Sequence, residues 1–424
     1  MELELVTIGT ELLLGFTVDT NSAFLGQALA AIGVRITRRT SVADEPAAVA
    51  AAVAEALARS RLVITTGGLG PTRDDLSKNV VAELFELPLE FQPELWDAIV
   101  ARFARMGRSL SERNRCQAEV PRGATVLPNP RGTAPGLWIS GARGEVIMLP
   151  GVPAEMRGLV NGEVIPRLSA RSGGGVIRSR VLRTTGIAES SLAERLDQVE
   201  ETLAPLTLAY LPSLEGVDLR LTNWQGPPDE ADRLLEEAAG KLLAPIADHV
   251  YGEADQDLAE VVIGLLRERG WTLAVAESCT GGMLGERLTT VAGASAVFLG
   301  GLIAYHDGLK RELGVPARIL ELHGAVSEET VLAMALAARQ RYGANAAVAV
   351  SGIAGPSGGS PEKPVGTVWI GVADDSGSEA HRAVFPGSRQ DIRVRATQAA
   401  LWRLWRRTRA ATFQGQSGHA GAGA

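Results

Sequence analysis

Ser278, Tyr305, Lys310 and Ser351 are the residues whose types and spacing best suggest covalent chemistry. Ser278 sits in AVAESCTGG (274–282), where an apolar strand run stops and Thr280, Gly281 and Gly282 open a helix. A side chain on such a turn stands beside backbone N–H groups that lack intrahelical acceptors and favour anions. Acyl transfer needs a nucleophile, a base and oxyanion donors in one pocket. Ser278 is the candidate nucleophile, and the N–H groups from Cys279 to Gly282 are the candidate oxyanion donors. No His adjoins the serine, so the base comes from elsewhere: AYHDGLK (304–310) offers Lys310, with Tyr305 to relay or orient the proton. Lys310 serves as a base only where burial or a neighbouring positive charge lowers its pKa. Ser351 ends the run AAVAV, and Gly352, Gly355 and Gly358 after it allow close backbone approach to a phosphate or ribose.

Rival assignments exist within the same stretches. His306 adjoins Tyr305, but nothing nearby in sequence supplies an orienting acid for it. Cys279 could attack in place of Ser278, since a helix start depresses a thiol's pKa. Arg389, Arg393 and Arg395 open the last helix, where one could grip a phosphate with two hydrogen bonds. Solvated helix charges are the commoner role for each of them.

A second constellation lies near the other end of the chain. TTGGLGPTRDD (65–75) is a strand end in which Gly67, Gly68 and Gly70 allow close approach to a phosphate. Asp74 and Asp75 follow as a carboxylate pair suited to a divalent metal such as Mg2+. It is neither a P-loop nor a dinucleotide fingerprint, and a plain turn with helix-capping aspartates is an equal reading of it alone. GTELLLG (9–15), VDTN (18–21), NPRGTAPG (129–136) and LPGVPAEM (149–156) also fall at expected strand ends, where open α/β sheets gather ligands. They add Asp19, Asn21 and Thr133 as substrate contacts and Glu11 as a further metal ligand, and Glu155, with Asp44 outside these motifs, could also add metal or ribose contacts.

The elements that must position these residues follow an α/β rhythm. Residues 1–168 alternate apolar runs with amphipathic segments, predicting a mostly parallel sheet covered by helices. Residues 169–250, after the break RSGGG, read as a small α+β connector of strand, helix, strand and helix with no chemistry of its own. A second α/β domain spans 251–411, and 412–424 reads as a disordered tail. The expected fold is therefore two three-layer α/β domains with mostly parallel sheets, joined by the small middle domain.

Composition narrows the function classes. At 424 residues, 46% hydrophobic and 21% charged, the chain has the make-up of a multidomain globular protein. No apolar run is long enough to span a bilayer, and the start lacks a signal-peptide pattern, so a cytoplasmic protein is expected. Two cysteines give neither a disulfide framework nor a zinc pattern. A net charge of −7 argues against a dedicated nucleic-acid surface, and Arg403, Arg406, Arg407 and Arg409 read as the solvated end of a terminal helix. A homodimer is expected.

On these motifs the chain, apart from its tail, resembles the CinA family of competence/damage-inducible proteins. Residues 1–168 look like its molybdopterin-binding-like domain, and the last domain looks like a nicotinamide-nucleotide amidohydrolase. The resemblance implies hydrolysis of nicotinamide mononucleotide to nicotinate mononucleotide and ammonia, with Ser278, Tyr305 and Lys310 matching the catalytic serine, tyrosine and lysine and no cofactor at that site. Ser351 stands where the family usually has Thr. For the first domain the resemblance implies a metal-dependent ADP-ribose pyrophosphatase, with Asp74 and Asp75 as its acidic pair. A nucleotide-binding scaffold without turnover, acting in DNA uptake or repair, is the alternative from another class.

Overall fold

The computed structural model describes the backbone of residues 1–417 and the side chains of residues 1–409. Two compact units emerge: Met1–Arg178 with Thr222–Leu234, and Ser179–Leu221 with the rest of the chain from Leu235. The middle segment is thus shared between the units.

The first unit is built on a six-stranded sheet in the order Arg35–Val42, Glu2–Ile8, Leu62–Thr66, Gly144–Leu149, Gly136–Gly141, Thr125–Leu127. Its first four strands run parallel, and each of the last two pairs antiparallel with the strand before it. The central strand Leu62–Thr66 is buried throughout, as a strand covered on both faces must be. The helix Pro46–Ser60 buries Val49, Ala52, Val53, Ala56 and Leu57, the i, i+3, i+4 stripe that seats a helix on a sheet. Separate apolar clusters form on the two faces, giving the expected three layers.

The last 160 or so residues repeat this plan on a five-stranded sheet, ordered Phe298–Ile303, Leu273–Glu277, Ala346–Gly352, Thr367–Asp374, Gly377–Val384. The first three strands are parallel, and the last two form antiparallel additions. The helix Leu258–Glu268 starts at a capping box in which Asp257 and Glu260 exchange hydrogen bonds with each other's backbone N–H groups. Register places Glu277 opposite both Ile303 and Val350, so the residues after these three strands emerge at one level.

Three expectations need correction. The middle segment holds strand, helix, two strands and helix, because Thr207–Pro212 and Val217–Asn223 are separate strands joined at Ser213–Gly216. The last helix runs from Arg389 through Ser417, into the stretch expected to be a tail, and residues 418–424 lie outside the described residues. Arg403 and Arg407 are not solvated: Arg403 lies over the Trp402 ring at 4.4 Å, and Arg407 pairs with buried Asp374 at 2.7 Å. Among the described residues no helix is long and apolar enough to cross a membrane.

Candidate active site

Ser278 leaves the strand Leu273–Glu277 with its N–H bonded to Val350 O at 2.9 Å, which sets it beside Ser351 on the neighbouring strand. Tyr305 and Lys310 follow the strand on the other side. A cavity of about 200 Å³ is lined by Ser278, Cys279, Tyr305, Asp307, Lys310, Ser351, Gly352 and Arg389 among others. All four residues proposed for the chemistry therefore face one space.

Lys310 is 1% exposed and ranks first by volume among the fully buried side chains. Lysine is almost never buried without partners. Its Nζ donates to Tyr305 O at 3.1 Å and to Asp307 Oδ1 at 3.3 Å. The amine nitrogen has three hydrogen-bonding positions beyond its carbon, so these bonds leave one for the cavity. Tyr305 projects outward, its hydroxyl accepting a 2.8 Å bond from Arg389. Arg389 also donates to Gly355 O at 2.9 Å, joining Tyr305 to the glycine loop. Of the three arginines weighed from sequence, only this one lines the cavity. The Ser351 hydroxyl donates to Ala325 O at 2.6 Å, which turns its lone pairs toward other partners.

The expected oxyanion donors are largely spent. Buried Glu277 accepts from Gly282 N at 2.9 Å, Leu284 N at 3.1 Å and Gly285 N at 2.8 Å, so a carboxylate of the chain already occupies the start of the helix Met283–Thr289. Gly281 N bonds back to Ser278 O at 3.1 Å. Of the four N–H groups from Cys279 to Gly282, those of Cys279 and Thr280 remain as candidate donors. Thr280, Gly281 and Gly282 act in the turn instead of lining the cavity: Gly281 and Gly282 take positive φ of 60° and 95°, and Arg393 holds Thr280 O at 2.8 Å. Gly352 lines the cavity, whereas Gly355 and Gly358 lie farther along the loop. Cys279 is a poor rival nucleophile, because burial pushes its thiol up to about 12. His306 uses Nδ1 to accept from Gly308 N at 3.1 Å, capping its helix. Glu277 escaped the sequence reading since a glutamate beside a serine resembles an ordinary surface charge. The only hint was its position directly before a helix start.

In the first unit the motifs also converge at the carboxyl ends of the parallel strands. Gly67 N bonds Leu149 O at 3.0 Å, and Asn21 Nδ2 donates to Gly151 O at 2.7 Å. Asn129 Nδ2 donates to Glu155 Oε2 at 2.7 Å, tying NPRGTAPG to LPGVPAEM. Asp19 is spent as a cap, accepting from Ser22 N at 2.9 Å, and Thr133 faces a separate cavity of about 450 Å³ beside the helix Pro93–Arg105. Gly68 is dictated by packing: at φ 69°, a Cβ there would lie 1.9 Å from Ser77 Oγ. Asp75 turns back to accept from Thr72 N at 2.9 Å, and Asp44 accepts from Thr10 N at 2.8 Å. Glu11 folds over Gly9, where an added Cβ would come within 2.6 Å of its carboxylate. Lys78, not singled out from sequence, donates to Cys116 O, and burial pushes its amine down.

Among the described residues no three His, Cys, Asp or Glu side chains are grouped to hold a metal. An all-protein metal cage therefore does not fit this unit. Asp74 and Asp75 lie side by side after the glycine turn, with the Asp75 carboxylate engaged by Thr72 N.

Comparison with known proteins assigns the architecture. A family profile described as "CinA C-terminal domain" matches residues 255–408, "Probable molybdopterin binding domain" matches 4–170, and "Damage-inducible protein CinA KH domain" matches 179–252. A CinA-like protein of Gemmatimonas aurantiaca is 50% identical over 411 residues, covering 96% of this chain and 96% of its own length. The chain belongs to the CinA family. CinA-like proteins of Parasynechococcus marenigrum and Salinibacter ruber are 48% and 41% identical over 89% and 95% of the chain, and 90% and 98% of their own lengths. The KH domains that clamp nucleic acid do so with a GxxG loop, and residues 179–252 of this CinA family member contain no such spacing.

Proposed function

We propose that the second unit hydrolyses the carboxamide of nicotinamide mononucleotide, giving nicotinate mononucleotide and ammonia. The observation that carries this reading is the meeting of Ser278, Lys310, Tyr305 and Ser351 around one cavity. Ser278 Oγ attacks the amide carbon while Lys310 Nζ takes the hydroxyl proton. The oxyanion is met by the N–H groups of Cys279 and Thr280. Lys310 then passes the proton to the departing nitrogen, ammonia leaves, and an ester to Ser278 remains. Water adds to that ester, its proton returns through Lys310 to Ser278, and the carboxylate product is released. Arg389 holds Tyr305 at the mouth and offers positive charge to the substrate phosphate. Ammonia release from nicotinamide mononucleotide tests the reading. Ser278→Ala should lower it by at least 10³-fold, and a variant as fast as the parent sinks the serine mechanism.

A second activity is favoured by the convergence of five motifs in the first unit: cleavage of ADP-ribose between its phosphates. Asp74 and Asp75 would hold a divalent ion delivered with the diphosphate, and when bound that ion offsets charge on the phosphate oxygens. The glycine turn at 67–70 brings backbone N–H groups toward the same phosphates. Asp75→Ala should abolish metal-dependent AMP release, and unchanged release removes that residue from the site. Binding of both nucleotides with neither ammonia nor AMP formed would favour the non-catalytic scaffold, with a role in DNA uptake or repair. Location in the cytoplasm and assembly as a homodimer complete the proposal.

A further inference from the structure

The second unit contains another cavity, of about 300 Å³, that shares no lining residue with the Ser278 cavity. Its walls are the turn Thr185–Ile187, the turn around Glu215, the strand residues His381–Ala383, and Arg395, Gln398, Trp402 and Arg403 of the last helix. Gln398 is 2% exposed and Trp402 7% exposed. Even so, both amide atoms of Gln398, the indole N–H of Trp402 and Nε of Arg395 have no hydrogen-bond partner among the described residues. Each such buried group costs about 1–3 kcal/mol, and native interiors hold few of them. The three residues that carry these four atoms all line one cavity.

Their chemistry is biased. Three of the four atoms are N–H donors and one, Gln398 Oε1, is an acceptor. Arg403 adds positive charge, stacked 4.4 Å over the Trp402 ring. Burial and then the neighbouring Arg406 push its guanidinium down, and Glu379 pulls it part of the way back. His381 is pushed down by burial and by Arg403, against the Glu379 carboxylate 3.6 Å from its Nε2. The carboxylate of Glu215 is engaged by Arg287 at 3.2 Å and Arg183 at 3.6 Å. Ile187, Leu214 and Phe385 supply an apolar wall.

We propose that this cavity is a binding site for a small organic anion: a carboxylate or phosphate group received by Arg395, Gln398 and Arg403, on a compact apolar body that lies against Ile187, Leu214 and Phe385. A hydroxyl or amine on that body satisfies Gln398 Oε1. The volume is at the lower end of small-molecule sites, which limits the ligand to about the size of a substituted single ring.

The test is a titration of the full-length 15N-labelled protein, following the indole N–H resonance of Trp402 assigned with Trp402→Phe. Benzoate and phenyl phosphate distinguish the two anionic groups, and inorganic phosphate reports the charge without the apolar body. At least one ring-bearing anion should give a saturable shift, weakened fivefold or more in Gln398→Leu and in Arg395→Gln. Gln398→Leu should melt at or above the parent temperature, because it removes an unpartnered buried amide, which separates lost binding from lost folding. Arg395→Gln keeps the test open if the leucine variant fails to fold. Linear, non-saturating shifts with both ring anions, as expected of a cavity that holds only water, overturn the proposal. So does saturation unaltered by either substitution.

Discussion

Replacing Glu277 by Gln should loosen the turn that carries Ser278, by an amount the geometry allows to be worked out. The carboxylate takes Gly282 N and Leu284 N on one oxygen and Gly285 N on the other, at 2.8 to 3.1 Å. Glutamine keeps one oxygen, which can serve the first two donors, but turns an NH2 group toward Gly285 N–H. One charge-assisted bond is lost, at about 1.5–3 kcal/mol, and a buried donor is left facing another. The local cost is about 3 kcal/mol, equivalent to about 10²-fold in an opening equilibrium. A multidomain chain need not melt in one step, so a local readout is required. Hydrogen exchange of peptides covering 278–290 should accelerate by about that factor, while peptides from the first unit keep their rates. Ammonia release should fall at least tenfold, because a displacement of about 1 Å at a nucleophile has effects of that order. Parental exchange at 282–285 with parental ammonia release would refute the assignment of Glu277 as the residue that positions the serine.

Further outcomes follow from the same structure. With its thiol pushed up to about 12 by burial, Cys279 should resist iodoacetamide in the folded protein at pH 8, as read by mass spectrometry, and Cys279→Ala should retain ammonia release. Asp374 is pushed up by burial but pulled down further by hydrogen bonds from Arg407 and Ser376, reaching about 2. Its stabilisation, about 2 kcal/mol, is complete above its ordinary value of 3.8 and lost as pH falls through about 2, so Asp374→Asn should flatten the acid limb of a melting-temperature profile of the second unit. Gly68→Ala forces a side chain into a left-handed conformation 1.9 Å from Ser77 Oγ, and should cost about 3 kcal/mol in thermal melts of the first unit.

The sheets were legible in the chain because buried parallel strands leave a plain mark: the apolar runs LVI and LAVA open the five-residue buried strands LVITT and LAVAE, which stop at glycine- or serine-bearing turns. The candidate site residues were legible one at a time, since each follows such a run. Their assembly was not, because it depends on register between strands about 25 to 75 residues apart, as in the alignment of Glu277 with Ile303 and Val350. Burial of Lys310 was equally hidden: its neighbours in AYHDGLK are largely polar, and only folding packs the helix Asp307–Leu313 against the helix Glu328–Tyr342. Local sequence could not rank Arg389 above Arg395 either, as both sit in the same helical turns and differ in the cavity they meet. The middle segment read as a connector because its contribution to the second cavity is made by two turns, Thr185–Ile187 and Leu214–Gly216, that are brought together by strand pairing.

The last helix carries three sets of obligations on one continuous rod: Arg389 and Arg393 at the serine turn, Arg395 to Arg403 on the second cavity, and Arg407 on Asp374. Each residue of an α-helix advances about 100° around the axis and 1.5 Å along it. Insertion or deletion of one residue between Arg393 and Arg395 would therefore swing every later side chain about a quarter-turn from its partner while leaving composition and helix propensity almost unchanged. The helix should accept many substitutions and almost no change in length, and natural variation in the size of this protein is expected to fall elsewhere, in surface loops such as the one following Gly358.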